Sequence, residues 1–313
     1  MLEGKRVAVV VPAYDEEVLV VETLRGIPEF VDSVYVVDDA SRDGTEERVR
    51  QLGDDRVEVI RHERNRGVGA AIVTGYRRAL AEGIDVTCVM AADNQMDPDE
   101  LRSLVEPVAR GEVEYAKANR LVSGEAWKII PHTRYLGNAV LSLLTKIASG
   151  YWHVADSQAG YTAISHVALQ RLDLDQLYPR YGFPNDVLVH LNVQNARVRD
   201  VPSRPIYNVG EQSGIRLRSV VPRISWLLFK SFWWRLGHKY VIRDFHPLVF
   251  FYVFGVLMTV VGFALGVIEL VLRILGNEIT TPTIVLVAVL LIAGIQLTLF
   301  AMWFDMEANK ELR

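Results

Sequence analysis

Acidic side chains follow three separate apolar runs of the sequence, at the points where each run ends. In the stretch CVMAADNQMDPDE, residues 88–100, Asp93 ends an apolar run and Gln95 follows two positions later. Carboxylate and amide oxygens are the ligands that Mg²⁺ takes in proteins, so this pattern indicates a metal ion and a charged substrate. Ala91 stands where a second chelating carboxylate would be needed. The acidic residues after the other two runs are Asp15, Glu16, Asp38 and Asp39.

The elements that must position these residues alternate between strand and helix. The strand-like runs are RVAVVVPAY, VDSVYVVDD, RVEVIRH, DVTCVMAAD and VEYAKANRL, and helical stretches such as EEVLVVETLRGI and AAIVTGYRRALAEG lie between them. This order predicts an α/β fold with a parallel sheet covered by helices. In such sheets, ligands bind at the carboxyl ends of the strands, where the acidic residues lie.

A glycine-containing loop precedes one of the predicted helices. In ERNRGVGAAIVTG, Asn65, Gly67 and Gly69 come just before the helix, where backbone amides and the helix dipole can face an anion. The stretch matches neither the Walker pattern nor the dinucleotide fingerprint. A plain loop at a helix start explains it equally well.

Composition excludes several classes of protein. The 313 residues suffice for one large α/β domain, and the net charge of −4 gives no reason to expect a nucleic-acid partner. The single cysteine, Cys88, lies in an apolar run, which excludes a disulfide framework and predicts a buried, inert thiol. The short first apolar run turns acidic at once, so it reads as a strand and not as a signal peptide.

Two stretches near the C-terminus are long and free of Asp, Glu, Lys and Arg. They cover 245–268 and 279–304, whereas about 20 apolar residues suffice to cross a bilayer. A short connector with Gly276 and Asn277 separates them, so both ends of the predicted hairpin face the same side. Gln296, the strongly polar residue of the second stretch, could pair helices or support a homo-oligomer.

The stretch before the hairpin, 216–243, is basic and aromatic and has no acidic residue. Cations beside a first span favour the cytoplasmic side, and this composition is typical of helices in the headgroup region. We therefore expect a cytoplasmic catalytic domain over 1–215, interfacial helices over 216–244, and two spans within 245–313, at about 245–268 and 281–304. A short tail follows, and both termini are expected in the cytoplasm. The cations are Arg216, Arg218, Arg223, Lys230, Arg235, Lys239 and Arg243.

An ordered set of motifs gives these features a family context. VVPAYDEE, VVDDASRDGT, NRGVGAA and AADNQMDPDEL are followed by KANRL, HTRYLGN, DSQAGYTAIS and VPSRPIYNVGEQSGIRLRS. Over residues 5–218 the chain resembles glycosyltransferase family 2, and within it the polyprenyl-phosphate hexose synthases of the dolichyl-phosphate mannose synthase type. The resemblance implies a Rossmann-like, nucleotide-sugar-binding GT-A fold with a mostly parallel sheet, and an inverting transfer assisted by Mg²⁺ or Mn²⁺.

The resemblance also implies roles for individual residues. Asp93 and Gln95 would hold the metal, and Ala91 replaces one family ligand, which weakens the site without abolishing it. Arg134 and Asn138 would bind the lipid phosphate. The residues implied in catalysis are Asp93, Arg120, Arg134 and Asp156. Those implied around the nucleotide sugar are Pro12, Tyr14, Glu16, Val37, Asp39, Ala92, Asp93, Arg120 and Arg216.

Several points stay open at the level of the sequence. Asp39 is the expected ribose or base partner, whereas Asp38 could orient a turn in DDASRDG. Asp97 is a possible substitute metal ligand or a helix N-terminal residue, and Asp186 in FPND is a possible base. A lipid phosphate arrives ionised and needs cations in place of a base, which favours a polyprenyl or dolichyl phosphate acceptor at the bilayer.

The alternatives are a transferase that acts on a sugar hydroxyl and a non-catalytic membrane-anchored protein that binds sugar nucleotides. GDP-mannose, UDP-glucose and UDP-N-acetylhexosamine all remain possible donors.

Overall fold

The structure is a computed structural model that describes residues 1–122, 132–206, 217–278 and 280–313. The described chain divides into two compact units. The first comprises Met1–Trp233 together with Glu311–Arg313, and the second comprises Trp234–Lys310. The first contains the sheet and the acidic motifs, and the second contains the two apolar stretches.

The first unit contains a seven-stranded sheet with the order β3-β2-β1-β4-β6-β5-β7. The pairs β1–β2, β1–β4, β2–β3 and β5–β7 are parallel, so the prediction of a mostly parallel sheet is confirmed. The exception is β6, which runs antiparallel to both β4 and β5. The strands are β1 Val7–Ala13, β2 Ser33–Asp38, β3 Val57–Arg61, β4 Val86–Val89, β5 Tyr115–Asn119, β6 Thr162–Ser165 and β7 Val198–Pro202.

Helices connect the strands, as the alternating pattern predicts. In the first unit they are α1 Val20–Gly26, α2 Thr45–Arg50, α3 Val68–Ala81, α4 Leu101–Ala109, α5 His132–Ser149, α6 His166–Arg171 and α7 Phe183–Val193. Helix α8, Leu217–Gly237, begins in the first unit and ends in the second, and a π-helical turn, His238–Arg243, follows it. The second unit contains α9 Leu248–Ile274 and α10 Thr281–Ala308. Short 3₁₀ turns cover Pro98–Glu100 and Lys310–Leu312.

Two hydrophobic clusters cover the two faces of the sheet. Successive side chains of a strand point to opposite faces, and in β1 Val9 packs in one cluster while Val10 packs in the other. Helices α1 and α4 complete the first cluster, and α3 and α7 complete the second. Cys88 is fully buried in the first cluster, where burial raises the pKa of its thiol, so the predicted inert cysteine is confirmed.

Within the second unit, α9 and α10 are long and apolar enough to cross a membrane. Both helices end after the predicted spans, at Ile274 and Ala308, and α9 begins at Leu248, after the predicted start. They pack on each other at two glycines. A Cβ on Gly255 would lie 3.0 Å from the carbonyl oxygen of Gly294, so a larger residue would force the helices apart. Thr259 donates to the Gly255 carbonyl at 2.8 Å, and Thr298 donates to the Gly294 carbonyl at 2.9 Å.

The second unit also contains a buried ion pair. Arg235 is fully buried and donates to both carboxylate oxygens of Asp305, each at 2.9 Å. Tyr240 donates to the same carboxylate at 2.6 Å, and buried Lys239 donates to Asn309 at 2.7 Å. Two of the seven cations of 216–243, Arg235 and Lys239, therefore have buried side chains.

Helix α3 packs closely on β1 at Gly75, which gives a test of the core. A Cβ at Gly75 would lie 2.6 Å from Cγ2 of Val10 and 3.0 Å from its Cβ. We expect Gly75→Ala to lower the free energy of unfolding by about 1–3 kcal/mol through overpacking. Gly137→Ala is the control, because nothing lies within 4 Å of its Cβ position and alanine favours helix. Thermal unfolding in detergent measures both, and equal midpoints for the two variants would contradict the packing.

Candidate active site

Parallel pairing brings the carboxyl ends of three strands to one edge of the sheet. In the register of β1 and β2, Ala13 is opposite Asp38, and in the register of β1 and β4, Val10 is opposite Val89. Beyond the strands, the amide of Asp39 donates to the Ala13 carbonyl at 2.9 Å. The acidic residues that end the three apolar runs therefore lie at the same edge, as the sequence predicts.

Asp38 fixes the turn that follows β2. Its side chain is fully buried and accepts from the amide of Ser41 at 2.8 Å and from the guanidinium of Arg61 at 2.8 Å. Asp15, in the loop after β1, accepts from the amide of Arg42 at 2.7 Å, which joins the two loops. Asp38 thus has the turn-orienting position that the composition of DDASRDG predicts.

Asp39 ties β2 to the glycine loop. Its carboxylate is 3% exposed and accepts from the amides of Arg66 at 2.8 Å and Gly67 at 2.7 Å. Nδ1 of His62 lies 2.7 Å from the same carboxylate. A direct contact of Asp39 with a nucleoside stays a prediction, because the hydrogen-bond partners of its carboxylate in this structure are groups of the protein itself. The sequence alone does not identify His62 as part of the site. The one feature that points to it is its position between β3 and the glycine loop.

Glu16 and Asp93 form the acidic centre of the edge. The pKa of Glu16 is raised to about 7 by partial burial and by the nearby charges of Asp93, Asp43 and Asp15. Asp93 accepts from the amide of Gln95 at 3.2 Å. Concentrated negative charge of this kind is offset by a bound cation, so the donor set fits a hard divalent ion. Among the described residues, no three or more Asp, Glu, His or Cys side chains are arranged so that they could hold a metal ion by themselves.

The other residues that are predicted to contact the donor at this edge lie in β1, in β2 and in the loops that follow β1 and β4. Pro12 is buried and its carbonyl accepts from the amide of Ala92 at 3.4 Å. Tyr14 is 37% exposed, whereas Val37 packs in the second core cluster. Ala91 stands where a second chelating carboxylate would be needed. Its backbone amide donates to the sulfur of Met96 at 3.2 Å.

Arg120 follows β5 and is held by a buried carboxylate. Asp156 is fully buried and accepts from Nε of Arg120 at 2.8 Å and from its Nη2 at 3.2 Å. Burial opposes ionisation of Asp156, but the charge and hydrogen bonds of Arg120, together with the charge of Lys117, outweigh it and lower the pKa. The two residues that the motifs KANRL and DSQAGY predict to act are therefore brought together.

A second pair of charges supports this ion pair. Lys117 is fully buried and donates to the carbonyl of Ala159, and burial lowers its pKa to about 8. Asp200 accepts from Asn119 and from the amide of Ala155, both at 2.7 Å. Two cations and two carboxylates thus lie together behind the exposed part of Arg120.

The other predicted phosphate contacts are only partly described. Asn138 lies in α5 and is half-buried, and Arg134 lies in the first turn of the same helix. The side chain of Arg134 and the whole of Arg216 lie outside the described residues, so their predicted contacts stay predictions.

Comparison with known proteins agrees with this geometry. Residues 8–173 match the glycosyl transferase family 2 domain. The chain belongs to this family. It is 29% identical to a UDP-N-acetylglucosamine–dolichyl-phosphate N-acetylglucosaminyltransferase of Methanococcus voltae, over 66% of this chain and 88% of the relative. It is 32% identical to an undecaprenyl-phosphate mannosyltransferase of Micrococcus luteus, over 63% of this chain and 82% of the relative.

The fold is also found among solved structures. Glucosyl-3-phosphoglycerate synthase from Mycobacterium tuberculosis, crystallised with Mn²⁺, UDP and glucosyl-3-phosphoglycerate, is similar with a TM-score of 0.56. The sequences are 21% identical, and the match covers 75% of this family 2 chain and 81% of the other chain. The predicted GT-A fold is therefore confirmed.

The buried charges beside Arg120, which are those of Lys117, Asp156 and Asp200, predict that the stability of the fold depends on pH. Burial raises the pKa of Asp200 from 3.8 to about 6, and its Oδ1 has no hydrogen-bond partner among the described residues. A carboxyl with a raised pKa stabilises the fold below its unfolded pKa and loses that contribution as pH rises through the folded value.

We expect the titration of Asp200 to lower the free energy of unfolding of the wild type by on the order of 2 kcal/mol between about pH 4 and pH 6. Asp200→Asn removes that loss, and exposed Asp55→Asn keeps it. Thermal unfolding from pH 4 to pH 7 measures the slopes, and parallel curves for wild type and Asp200→Asn would argue against a buried, protonatable Asp200.

Proposed function

We propose that this protein is a membrane-bound, inverting glycosyltransferase that moves one hexose from a nucleotide sugar to a polyprenyl or dolichyl phosphate. The observation that carries the proposal is the guanidinium of Arg120, which Asp156 holds at the carboxyl edge of the sheet. A fixed guanidinium suits a phosphate that attacks as an anion. The two named relatives, which are transferases for polyprenyl phosphates, support the same acceptor.

The reaction requires cations more than it requires a base. A lipid phosphate is already ionised, so its oxygen attacks the anomeric carbon and the nucleoside diphosphate leaves on the opposite face. Arg120, with Arg134 and Asn138 from α5, would bind the acceptor phosphate. Asp156 would keep Arg120 oriented through its two hydrogen bonds. Stabilisation of developing charge by fixed groups is commonly the largest contribution to catalysis.

Asp93 and Gln95 would hold Mg²⁺ or Mn²⁺, and Asp93 is also the largest of the nearby charges that raise the pKa of Glu16. The ion would offset the charge of the leaving diphosphate. Mg²⁺ is often bound through one or two protein carboxylates, so the alanine at position 91 is compatible with a site. The donor would lie along the loops after β1, β2 and β4, near Pro12, Tyr14, Glu16, Val37, Asp39 and Ala92, with Arg120 and Arg216.

The exposed side chains of the first unit support placement at a bilayer. In α5, Leu136, Val140 and Leu143 are exposed at helical spacing. In α8, Trp226 and Phe229 are exposed and their rings stack with centroids 5.5 Å apart. Aromatic and apolar side chains of this kind bind the headgroup boundary.

We infer that α9 and α10 span the membrane and that the catalytic unit and both termini face the cytoplasm. Pairing of copies through these helices stays a prediction.

Transfer into the lipid fraction tests the proposal. Membranes with the protein, undecaprenyl phosphate and Mg²⁺ or Mn²⁺ are mixed in turn with radiolabelled GDP-mannose, UDP-glucose and UDP-N-acetylglucosamine. We expect one donor to label an acid-labile, lipid-linked monosaccharide, and heat-inactivated membranes serve as the control. A growing glycan would instead indicate a hydroxyl acceptor. Neither transfer nor donor hydrolysis with any of the three would indicate a binding protein.

Replacement of Asp93 tests the metal assignment separately. We expect Asp93→Asn to lower transfer at least about 100-fold, because the charge that holds the ion at the diphosphate is lost. Binding of Mn²⁺, followed by electron paramagnetic resonance without donor, should weaken in parallel. Asp55→Asn is the control, since Asp55 is exposed and precedes β3, at the opposite end of that strand from the carboxyl edge. Unchanged Mn²⁺ binding in Asp93→Asn would remove the assignment.

A further inference from the structure

The segment 178–182 lies between the glycine loop and the part of helix α8 that belongs to the first unit. On one side it contacts the glycine loop. A Cβ at Gly67, whose φ is +98°, would lie 2.5 Å from the carbonyl oxygen of Pro179, and a Cβ at Gly69 would meet the carbonyl oxygen of Tyr178. The amide of Ala70 donates to the Pro179 carbonyl at 3.1 Å. Backbone lies directly on backbone here, so movement of one loop displaces the other.

On its other side the same segment is fixed to α8 through Asp186. This carboxylate, in the first turn of α7, is 4% exposed and accepts from the amide of Tyr178 at 2.9 Å. Its second oxygen accepts from the hydroxyl of Ser231 at 3.2 Å. A Cβ at Gly182 would lie 2.7 Å from Cδ2 of Leu227, so the helix also packs closely on the segment.

The contact with Asp186 sets the orientation of α8 about its own axis. Ile224, Leu228 and Ser231 are buried at helical spacing, whereas Trp226 and Phe229 are exposed. The apolar contacts of the buried side are not directional. The hydrogen bond from Ser231 is directional, because the hydroxyl must reach one carboxylate oxygen.

We propose that Asp186 is a positioning residue that couples the glycine loop at Gly67 to helix α8 through the segment 178–182. This proposal rests on the proposed function, in which Asp39, held by the amides of Arg66 and Gly67 in the glycine loop, lies near the donor and the exposed side of α8 faces the bilayer. Binding of the nucleotide then favours one orientation of α8, and correct seating of α8 favours nucleotide binding by the same free energy. Asp186 acts here through its neighbours, because one carboxylate oxygen accepts from the amide of Tyr178 and the other accepts from the hydroxyl of Ser231.

Hydrogen exchange of the full-length protein in phosphatidylglycerol nanodiscs tests the coupling. The probes are UDP with Mn²⁺ and GDP with Mn²⁺. With at least one of them, we expect exchange in wild type to slow at least about fivefold in 66–70 and also in 220–233. Ser231→Ala should keep the protection of 66–70 and lose that of 220–233. Ser231→Thr, which keeps the hydroxyl, should restore it, and Ser225→Ala on the same helix should behave as wild type.

Each other outcome overturns the coupling. Protection of 220–233 that survives in Ser231→Ala means that the Asp186 contact does not transmit it. Protection confined to 66–70 in wild type overturns the coupling and leaves donor binding intact. Protection of neither region by either nucleotide overturns donor binding at this loop and the coupling with it. Leu227→Ala, which relieves the contact with Gly182, is a second variant with the same expected loss if Ser231→Ala does not fold.

Discussion

Buried carboxylates that accept hydrogen bonds from neighbouring loops organise the candidate site. Asp38, Asp39, Asp156 and Asp186 are each less than 5% exposed, and an ion removed from water is costly unless it is paired and hydrogen-bonded. Many of their donors are backbone amides of loops, such as those of Ser41, Gly67 and Tyr178. Each buried charge therefore fixes the path of a loop as well as its own position, and the carboxyl edge keeps one arrangement.

The more exposed acids of the same edge have the opposite electrostatic situation. Glu16 has a pKa near 7 because partial burial and the charges of Asp93, Asp43 and Asp15 all oppose its ionisation. The buried carboxylates are already stabilised by hydrogen bonds from the protein, whereas a bound cation would stabilise the ionised form of Glu16. The buried acids are therefore suited to hold loops, and Glu16, beside the charge of Asp93, is suited to meet a cation. This division supports the proposed metal site more directly than the motif alone.

Much of this arrangement follows from local patterns in the sequence. Strands β1, β2 and β4 form because each is a short apolar run, and parallel pairing then brings Asp38 and Asp93 to one edge. The antiparallel β6 was not predicted, because the run TAIS is too short to show a period. Asp305 gave no signal either. It pairs with Arg235 across 70 positions, and a pairing at that separation is set by helix packing and not by spacing in the sequence.

The position of Asp186 bears on which acceptor the site can use. A sugar hydroxyl must lose a proton as it attacks, and Asp186 was the acid that the sequence offered as a base. Its oxygens accept from Tyr178 and Ser231 in a buried setting, so taking a proton would weaken the contact that seats α8. An acceptor that is already ionised avoids that conflict and needs only a fixed cation such as Arg120. The same hydrogen bonds give Asp186 a structural task, and a phosphate nucleophile makes no demand on it as a base.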